Sequence, residues 1–129
     1  MLDEQELKRR LAIAYIAGLF DGEGNVMCKQ YMRRRRDREK IYPTWYIRIE
    51  VSMSDQEAID YLQDTLEFGW SGPKRFHKNN VKKNGEPIKP QWRWCCGYRD
   101  ALKFAKLMLP HAKIKRKDLT KIIKHYENK

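Results

Sequence analysis

The sequence predicts an α+β fold with the order α-β-β-α-β-β-α and one extra helix at the C-terminus. Segments with apolar residues at helical spacing alternate with pairs of segments in which apolar and polar residues alternate one by one. No low-complexity linker interrupts the 129 residues, so we expect a single domain over residues 1–129. Each strand pair offers one apolar face for helices, which indicates an antiparallel sheet covered on one side.

The first three elements are predicted from the clearest patterns. Leu7, Leu11, Tyr15 and Leu19 recur at helical spacing and predict a helix over 3–20, which ends at the glycine-rich residues 21–24. A strand over 25–33 follows. The strand over 42–53 is the best defined, because apolar and polar residues alternate from residue 44 to residue 53.

The second half of the chain repeats this plan. Ser54 and Glu57 form a capping-box pattern that opens a helix, and Gly69 is expected to end it. Asn84-Gly85 lies in a polar loop and is typical of a hairpin. The predicted elements are a helix over 55–68, strands over 72–79 and 90–96, a helix over 98–108 and, after Pro110, a basic helix over about 114–127.

The charge follows the predicted elements. The chain has 28 Lys and Arg against 17 Asp and Glu, a net charge of +11. The strand regions 25–53 (eight basic, three acidic) and 70–99 (eight basic, one acidic) are strongly positive, whereas 54–69 has five acids and no base. Such charge on a folded domain favours a polyanionic partner, most often nucleic acid, and a two-stranded ribbon fits the DNA major groove. The alternative is an ordinary solvated sheet surface.

Composition also argues against two classes. The longest uncharged apolar stretch, 11–20, has ten residues, about half of a bilayer span, so we expect no membrane segment. Cys28, Cys95 and Cys96 are odd in number and lack metal-ligand spacing, which indicates reduced thiols. We therefore expect an intracellular, reducing location, in the cytoplasm or nucleoid or in a eukaryotic organelle.

The first helix carries small residues on one side. Ala14, Gly18 and Gly22 are four residues apart, with Ala17 and Asp21 beside them. A glycine inside a helix costs roughly 1 kcal/mol relative to alanine, so close approach of another backbone is the expected reason for Gly18. That backbone belongs either to another helix of this chain or to the same helix of a second copy. The candidate dimer-interface residues are Ala14, Ala17, Gly18 and Asp21.

The same helix delivers two carboxylates at its end. Asp21 and Glu23 are flanked by glycines, and carboxylates beside bare backbone carbonyls suit a hard divalent cation. The alternative is a helix C-terminus in which Gly22 and Gly24 merely turn the chain.

The segment Ile16-Ala-Gly-Leu-Phe-Asp-Gly-Glu-Gly24 resembles the LAGLIDADG motif of homing endonucleases. The element order and the basic strand pairs are also similar to this family. The resemblance implies a site-specific endonuclease that hydrolyses phosphodiester bonds of long double-stranded DNA sites with Mg²⁺, for which Mn²⁺ is expected to substitute. It implies that the chain works in intron or intein mobility. Because only one motif is present, it implies a homodimer on a roughly palindromic duplex.

The resemblance also assigns the site residues. Glu23 is the metal-binding catalytic acid, the carbonyl of Gly22 adds a metal contact, and Asp21 supports the helix end. Lys115 matches a lysine near the scissile phosphates, with Lys113 as the fallback. The family usually ends its second strand with a polar residue, often Gln, where this chain has Met53.

The alternation predicts which side chains face the duplex. These side chains lie on the polar side of the strands or in the charged connections, where they can reach phosphates and base edges. The candidate DNA-binding residues are Lys29, Tyr31, Arg33, Arg35, Tyr46, Arg48, Arg75, His77, Lys78, Gln91 and Arg93.

Besides the endonuclease, two further classes of function remain open: a binding protein on the same scaffold, and a structural protein. An inactive DNA-binding protein or an RNA splicing maturase on the same scaffold is favoured by Met53, whereas Glu23 favours the enzyme. A basic RNA-associated structural protein is the third, and it leaves the small-residue helix and its acids unexplained.

Overall fold

The order of elements agrees with the prediction. The computed structural model describes residues 3–34, 40–74, 85–86 and 89–128. Its elements are α1 (Glu4–Glu23), β1 (Gly24–Arg34), β2 (Ile41–Met53), α2 (Gln56–Leu66), β3 (Trp70–Pro73), β4 (Trp92–Gly97), α3 (Arg99–Met108) and α4 (Arg116–Glu127). The α+β class, the antiparallel pairs β1–β2 and β3–β4 and the additional C-terminal helix are confirmed. Strand β3 lies at Trp70–Pro73 rather than over the predicted 72–79, of which residues 75–79 lie outside the described residues.

The four strands form one antiparallel sheet in the order β1-β2-β4-β3. Each predicted strand pair is a pair of neighbours, and β2 joins the two by pairing with β4. This places β1 and β3 at the edges, where Pro73 is tolerated because its missing N–H faces no partner strand. The register sets Ile49 between Val26 and Cys96, so the apolar sides of all three strands coincide.

The helices cover one side of this sheet and enclose the hydrophobic core. Trp94 of β4 is fully buried, and its ring centroid lies 5.3 Å from that of Phe104 in α3. Phe104 also meets Phe20 of α1 edge to face at 5.0 Å. The Trp94 indole Nε1 donates to the carbonyl of Phe68 at 3.1 Å, so its polar atom is satisfied inside the core.

Helix α1 runs three residues past its predicted end. Its N-cap is Asp3, whose carboxylate accepts a hydrogen bond from the Glu6 N–H at 2.7 Å. It ends where the Gly24 N–H donates to the carbonyl of Phe20. A Cβ on Gly24 would overlap the Phe20 ring and lie 2.6 Å from its carbonyl oxygen. Gly24 is therefore required for close passage of the chain from α1 into β1.

The start and end of α2 differ from the prediction. Asp55, not Ser54, is the N-cap, and its carboxylate accepts from the Ala58 N–H at 3.3 Å. A carboxylate at this position also interacts favourably with the helix dipole, which a serine hydroxyl does not. The helix ends at Leu66, and Glu67 rather than Gly69 is the first residue with left-handed backbone, at a φ of 63°.

The described helices include none that is long and apolar enough to cross a membrane.

Candidate nucleic-acid interface and metal centre

The Asp21 carboxylate connects the end of α1 to the segment that precedes α4. Its Oδ2 accepts a hydrogen bond from the Lys113 N–H at 2.7 Å, and its Oδ1 accepts one from the Lys115 N–H at 3.1 Å. Only 9 % of Asp21 is exposed. Burial by itself raises the pKa of this carboxyl group, but the backbone N–H donors of residues 113–115 and the Lys115 charge more than offset it and lower the pKa. Asp21 is therefore a charged structural link.

This link brings Lys115 to the end of the motif helix. The Lys115 ammonium Nζ donates to the Asp21 carbonyl at 3.0 Å, and the side chain is half-buried. Lys113 reaches Asp21 through its backbone N–H and is exposed. Of the two predicted candidates, Lys115 is the one whose side chain the structure holds beside α1.

Glu23 and Gly22 are both exposed at the same end of α1. Gly22 is free of neighbours, since a Cβ built on it would meet nothing within 4 Å. Mg²⁺ is usually held by one or two carboxylates, with water and substrate phosphates completing its shell. One exposed carboxylate beside an open backbone fits such an ion. Across the described ranges, no three His, Cys, Asp or Glu side chains converge as a metal-binding group.

The exposed side of α1 differs from the predicted interface set. Ala14 and Gly18 are exposed, and a Cβ on Gly18 would meet nothing within 4 Å, so none of the described helices of this chain explains that glycine. Ala17 is fully buried and Asp21 nearly so. These two face the core and the α4 segment of their own chain, which corrects their assignment to a surface open to a partner.

Large apolar side chains continue the exposed side toward the N-terminus. Leu7, Leu11 and Tyr15 are 48 %, 61 % and 56 % exposed. Tyr15 meets Tyr61 of α2 edge to face, with ring centroids 5.5 Å apart. A helix that is apolar on both sides is typical of one that is covered on both sides. We call Leu7, Leu11, Ala14, Tyr15, Gly18 and Gly22 the exposed α1 stripe.

The uncovered side of the sheet carries the polar and charged side chains. Lys29, Tyr31 and Arg33 of β1 are exposed, and Lys29 lies opposite Tyr46 of β2 in the register. They share this side with Arg48, because residues two apart on a strand face the same way. We call this surface the open face. Strand β1 begins at Gly24, directly after Glu23, and Asn25 is its first residue on the open face, opposite Glu50.

A charged cluster that the sequence did not single out occupies the middle of the open face. Glu50 accepts hydrogen bonds from the Arg48 Nη2 at 3.1 Å and the Arg93 Nη1 at 3.4 Å. The Ser52 hydroxyl donates to it at 3.2 Å, and the Lys74 ammonium lies 3.6 Å away. Alternation alone placed Glu50 on this side together with Arg48 and Ser52 of the same strand. Arg93 of β4 and Lys74, which follows β3, are brought to it only by the register of the sheet.

The remaining predicted residues have mixed outcomes. Arg35, Arg75, His77 and Lys78 lie outside the described residues. Gln91 is half-buried just before β4, and its carbonyl accepts from the Lys74 N–H at 2.8 Å. Met53 is partly buried against the hydrophobic core, so this position offers an apolar side chain where the resemblance would place a polar one, often Gln.

Comparison with known proteins gives matches among solved structures only: no family model and no curated protein matches this sequence. The chain is similar to the homing endonuclease I-CvuI in complex with its target in the presence of calcium, with a TM-score of 0.63 and 18 % identity. The alignment covers 88 % of this chain and 64 % of that one, so this chain spans less than two thirds of the I-CvuI chain.

Two further structures agree. The homing endonuclease I-TnaI has a TM-score of 0.59 at 15 % identity, covering 87 % of this chain and 69 % of that one. The LAGLIDADG homing endonuclease I-SmaMI, bound to cleaved DNA, has a TM-score of 0.58 at 12 % identity, covering 90 % and 37 %. The sequence motif and the architecture point the same way: this chain has the fold of the LAGLIDADG homing endonucleases.

Proposed function

We propose that this chain is a homing endonuclease that binds a long, pseudo-palindromic DNA duplex as a homodimer and hydrolyses phosphodiester bonds in both strands with a divalent metal ion. The observation that carries this proposal is the junction of α1 and β1. There the exposed Glu23 lies two residues after Asp21, whose carbonyl accepts from the Lys115 ammonium, and two residues before Asn25, the first residue of β1 on the open face. The DNA in the I-CvuI and I-SmaMI structures supports a DNA substrate.

The chain's own groups have distinct tasks in this reaction. The Glu23 carboxylate and the Gly22 carbonyl would hold Mg²⁺, or Mn²⁺ in its place, and the bound ion would neutralise phosphate charge and make water a better nucleophile. The Lys115 ammonium places a positive charge beside the same helix end, where it stabilises negative charge developing on the phosphate. Asp21 holds the segment that carries this lysine, because its carboxylate accepts hydrogen bonds from the backbone N–H groups of Lys113 and Lys115. The cations of the open face bind the flanking phosphates.

The homodimer part of the proposal is supported by the exposed α1 stripe. Each chain supplies one Glu23, and packing of two stripes would bring two such acids together. Gly18→Leu should leave the monomer folded, because the space around Gly18 is open, but should abolish self-association. Arg9→Leu, also exposed but on the other side of α1, is the matched control. Sedimentation measures both, and a wild-type monomer with and without DNA would refute the homodimer.

The enzymatic part is tested on DNA that the protein itself selects. The wild type is used to enrich a pool of random 40-base-pair duplexes, and the enriched duplex is incubated with protein and Mg²⁺. Glu23→Gln should retain binding and lose cleavage by at least about 10²-fold, as expected for removal of a group that acts on the reacting atoms. Glu127→Gln, which makes the same charge change at the end of α4, should cleave normally.

An inactive DNA-binding protein is the second candidate, because Met53 packs into the core where the family usually has a polar residue. In that case the wild type enriches a duplex sequence but cleaves it with neither Mg²⁺ nor Mn²⁺. Enrichment of RNA over duplex DNA would favour the maturase instead. The intracellular, reducing location stays a prediction that rests on the cysteine pattern.

A further inference from the structure

An acidic side chain at the centre of a basic surface needs a physical reason. Glu50 lies in β2 opposite Asn25 of β1 and Cys95 of β4, so it has a strand on each side. Its side chain is 13 % exposed. Every contact that it makes across the open face is to a cation or a hydroxyl. A surface optimised only for attraction to phosphate would have no acid here.

The contacts of Glu50 fix two arginines from different strands. Its Oε1 accepts from one terminal nitrogen of Arg48 and one of Arg93, while its Oε2 faces Ser52 and Lys74. The two arginine side chains are still 28 % and 30 % exposed. Because a guanidinium group has five N–H donors, each arginine keeps donors for a ligand.

Arg93 is also held from its other side. Its guanidinium carbon lies 5.3 Å from the centroid of the Trp70 ring. That ring in turn lies over Gly72, where a Cβ would come within 2.7 Å of it. Arg93 is thus confined between an aromatic ring and a carboxylate, an arrangement in which its planar group has a defined orientation.

Fixed arginines affect specific and non-specific DNA binding differently. Recognition of guanine by arginine needs two hydrogen bonds in one plane, and a side chain ordered beforehand loses less conformational entropy on binding. Non-specific attraction depends on net positive charge, which the carboxylate reduces. Partial burial raises the pKa of Glu50, but Lys74, Ser52, Arg48 and Arg93 together lower it below its ordinary value, so the group is charged at neutral pH.

We propose that Glu50 is a positioning residue that holds Arg48 and Arg93 oriented toward the base edges of the major groove and thereby sets the ratio of specific to non-specific DNA affinity. This inference rests on the proposed DNA-binding function. It does not require cleavage.

The test measures affinity for two probes, the duplex that the wild type enriches and the unselected random pool, over a range of salt concentrations. Glu50→Gln should bind the random pool as tightly as the wild type or more tightly, with a salt slope that is steeper by about 0.9 for the charge gained in each subunit of the homodimer. The ratio of its affinity for the enriched duplex to its affinity for the random pool should fall about tenfold or more. Glu50→Asp keeps the charge but shortens the side chain. The same affinity ratio should therefore fall, while the salt dependence of binding stays as in the wild type.

The controls separate the possible failures. Glu127→Gln makes the same charge change at the end of α4 and should keep the wild-type ratio. Circular dichroism and thermal unfolding establish that each variant is folded. A ratio unchanged in both Glu50 variants, or equal losses of affinity for both probes, would overturn the positioning role while leaving DNA binding intact. A wild type that enriches no sequence would overturn the DNA-binding function and this inference with it.

Discussion

Replacing Asp21 with asparagine separates the two acids at the end of α1. Asp21 and Glu23 both lie in the motif, and Asp21→Asn and Glu23→Gln each remove one negative charge. The two side chains nevertheless differ in their surroundings. Asp21 is nearly buried and accepts two backbone hydrogen bonds, whereas Glu23 is exposed. Asp21→Asn should therefore unfold more easily, and Glu23→Gln should not.

The size of the effect follows from the contacts. An asparagine can keep one of the two accepted hydrogen bonds through its carbonyl oxygen, but it turns an NH₂ group toward the other backbone N–H. Hydrogen bonds to a charged group contribute about 1.5–3 kcal/mol each, and an unpaired buried donor costs a further 1–3 kcal/mol. We expect Asp21→Asn to lower the free energy of unfolding by about 2–4 kcal/mol. Glu23→Gln should change it by less than about 0.5 kcal/mol, as is usual for exposed sites.

The assay is denaturant unfolding followed by tryptophan fluorescence and circular dichroism, at one protein concentration for all variants because self-association shifts apparent stability. The folded-state pKa of Asp21 is below the ordinary value of 3.8, so its contribution is complete at neutral pH. That contribution is lost as the pH falls below about 4 and through the lower folded-state pKa. The difference between wild type and Asp21→Asn should thus close in acid. A loss below about 0.5 kcal/mol, or a difference that does not change with pH, would refute this account of Asp21.

Three other substitutions or measurements test local features. Gly24→Ala should destabilise the protein by about 1–3 kcal/mol in the same unfolding assay, since its methyl group would overlap the Phe20 ring; an unchanged stability would contradict the close packing at the motif end. Glu67→Gly should stabilise by about 0.5–1 kcal/mol, because it relieves a non-glycine residue at a φ of 63°, and a loss would show that the Glu67 side chain makes contacts worth more than the strain. Among the thiols, half-buried Cys95 should react first with a thiol reagent in the native protein. Cys28 and Cys96 are buried, and burial raises the pKa of both thiols. Early modification of either one would therefore argue against the packing described.

Most of the fold could be predicted from local patterns. The alternation in 42–53 identified β2 within one residue of its observed start, and it assigned the correct side to Ile47 and Arg48. Helix ends were predicted less well. Ser54 and Gly69 were chosen by residue type, whereas the observed N-cap is Asp55, whose side chain reaches the Ala58 N–H, and the observed C-cap is Glu67, whose backbone N–H reaches the Gln63 carbonyl.

The sequence by itself determined the α+β order, the basic character of the strands and the motif with its two acids, because periodicity, charge and short motifs are local properties. Only the tertiary structure decided what each acid does. Asp21 is buried by a segment more than 90 positions away in the chain, and Glu50 of β2 contacts Arg93 of β4 and Lys74, which follows β3. The tertiary structure also decided that Ala17 lies inside the core, whereas Gly18 lies in the exposed α1 stripe. These contacts join parts of the chain that are distant in sequence, so no local pattern could have assigned them.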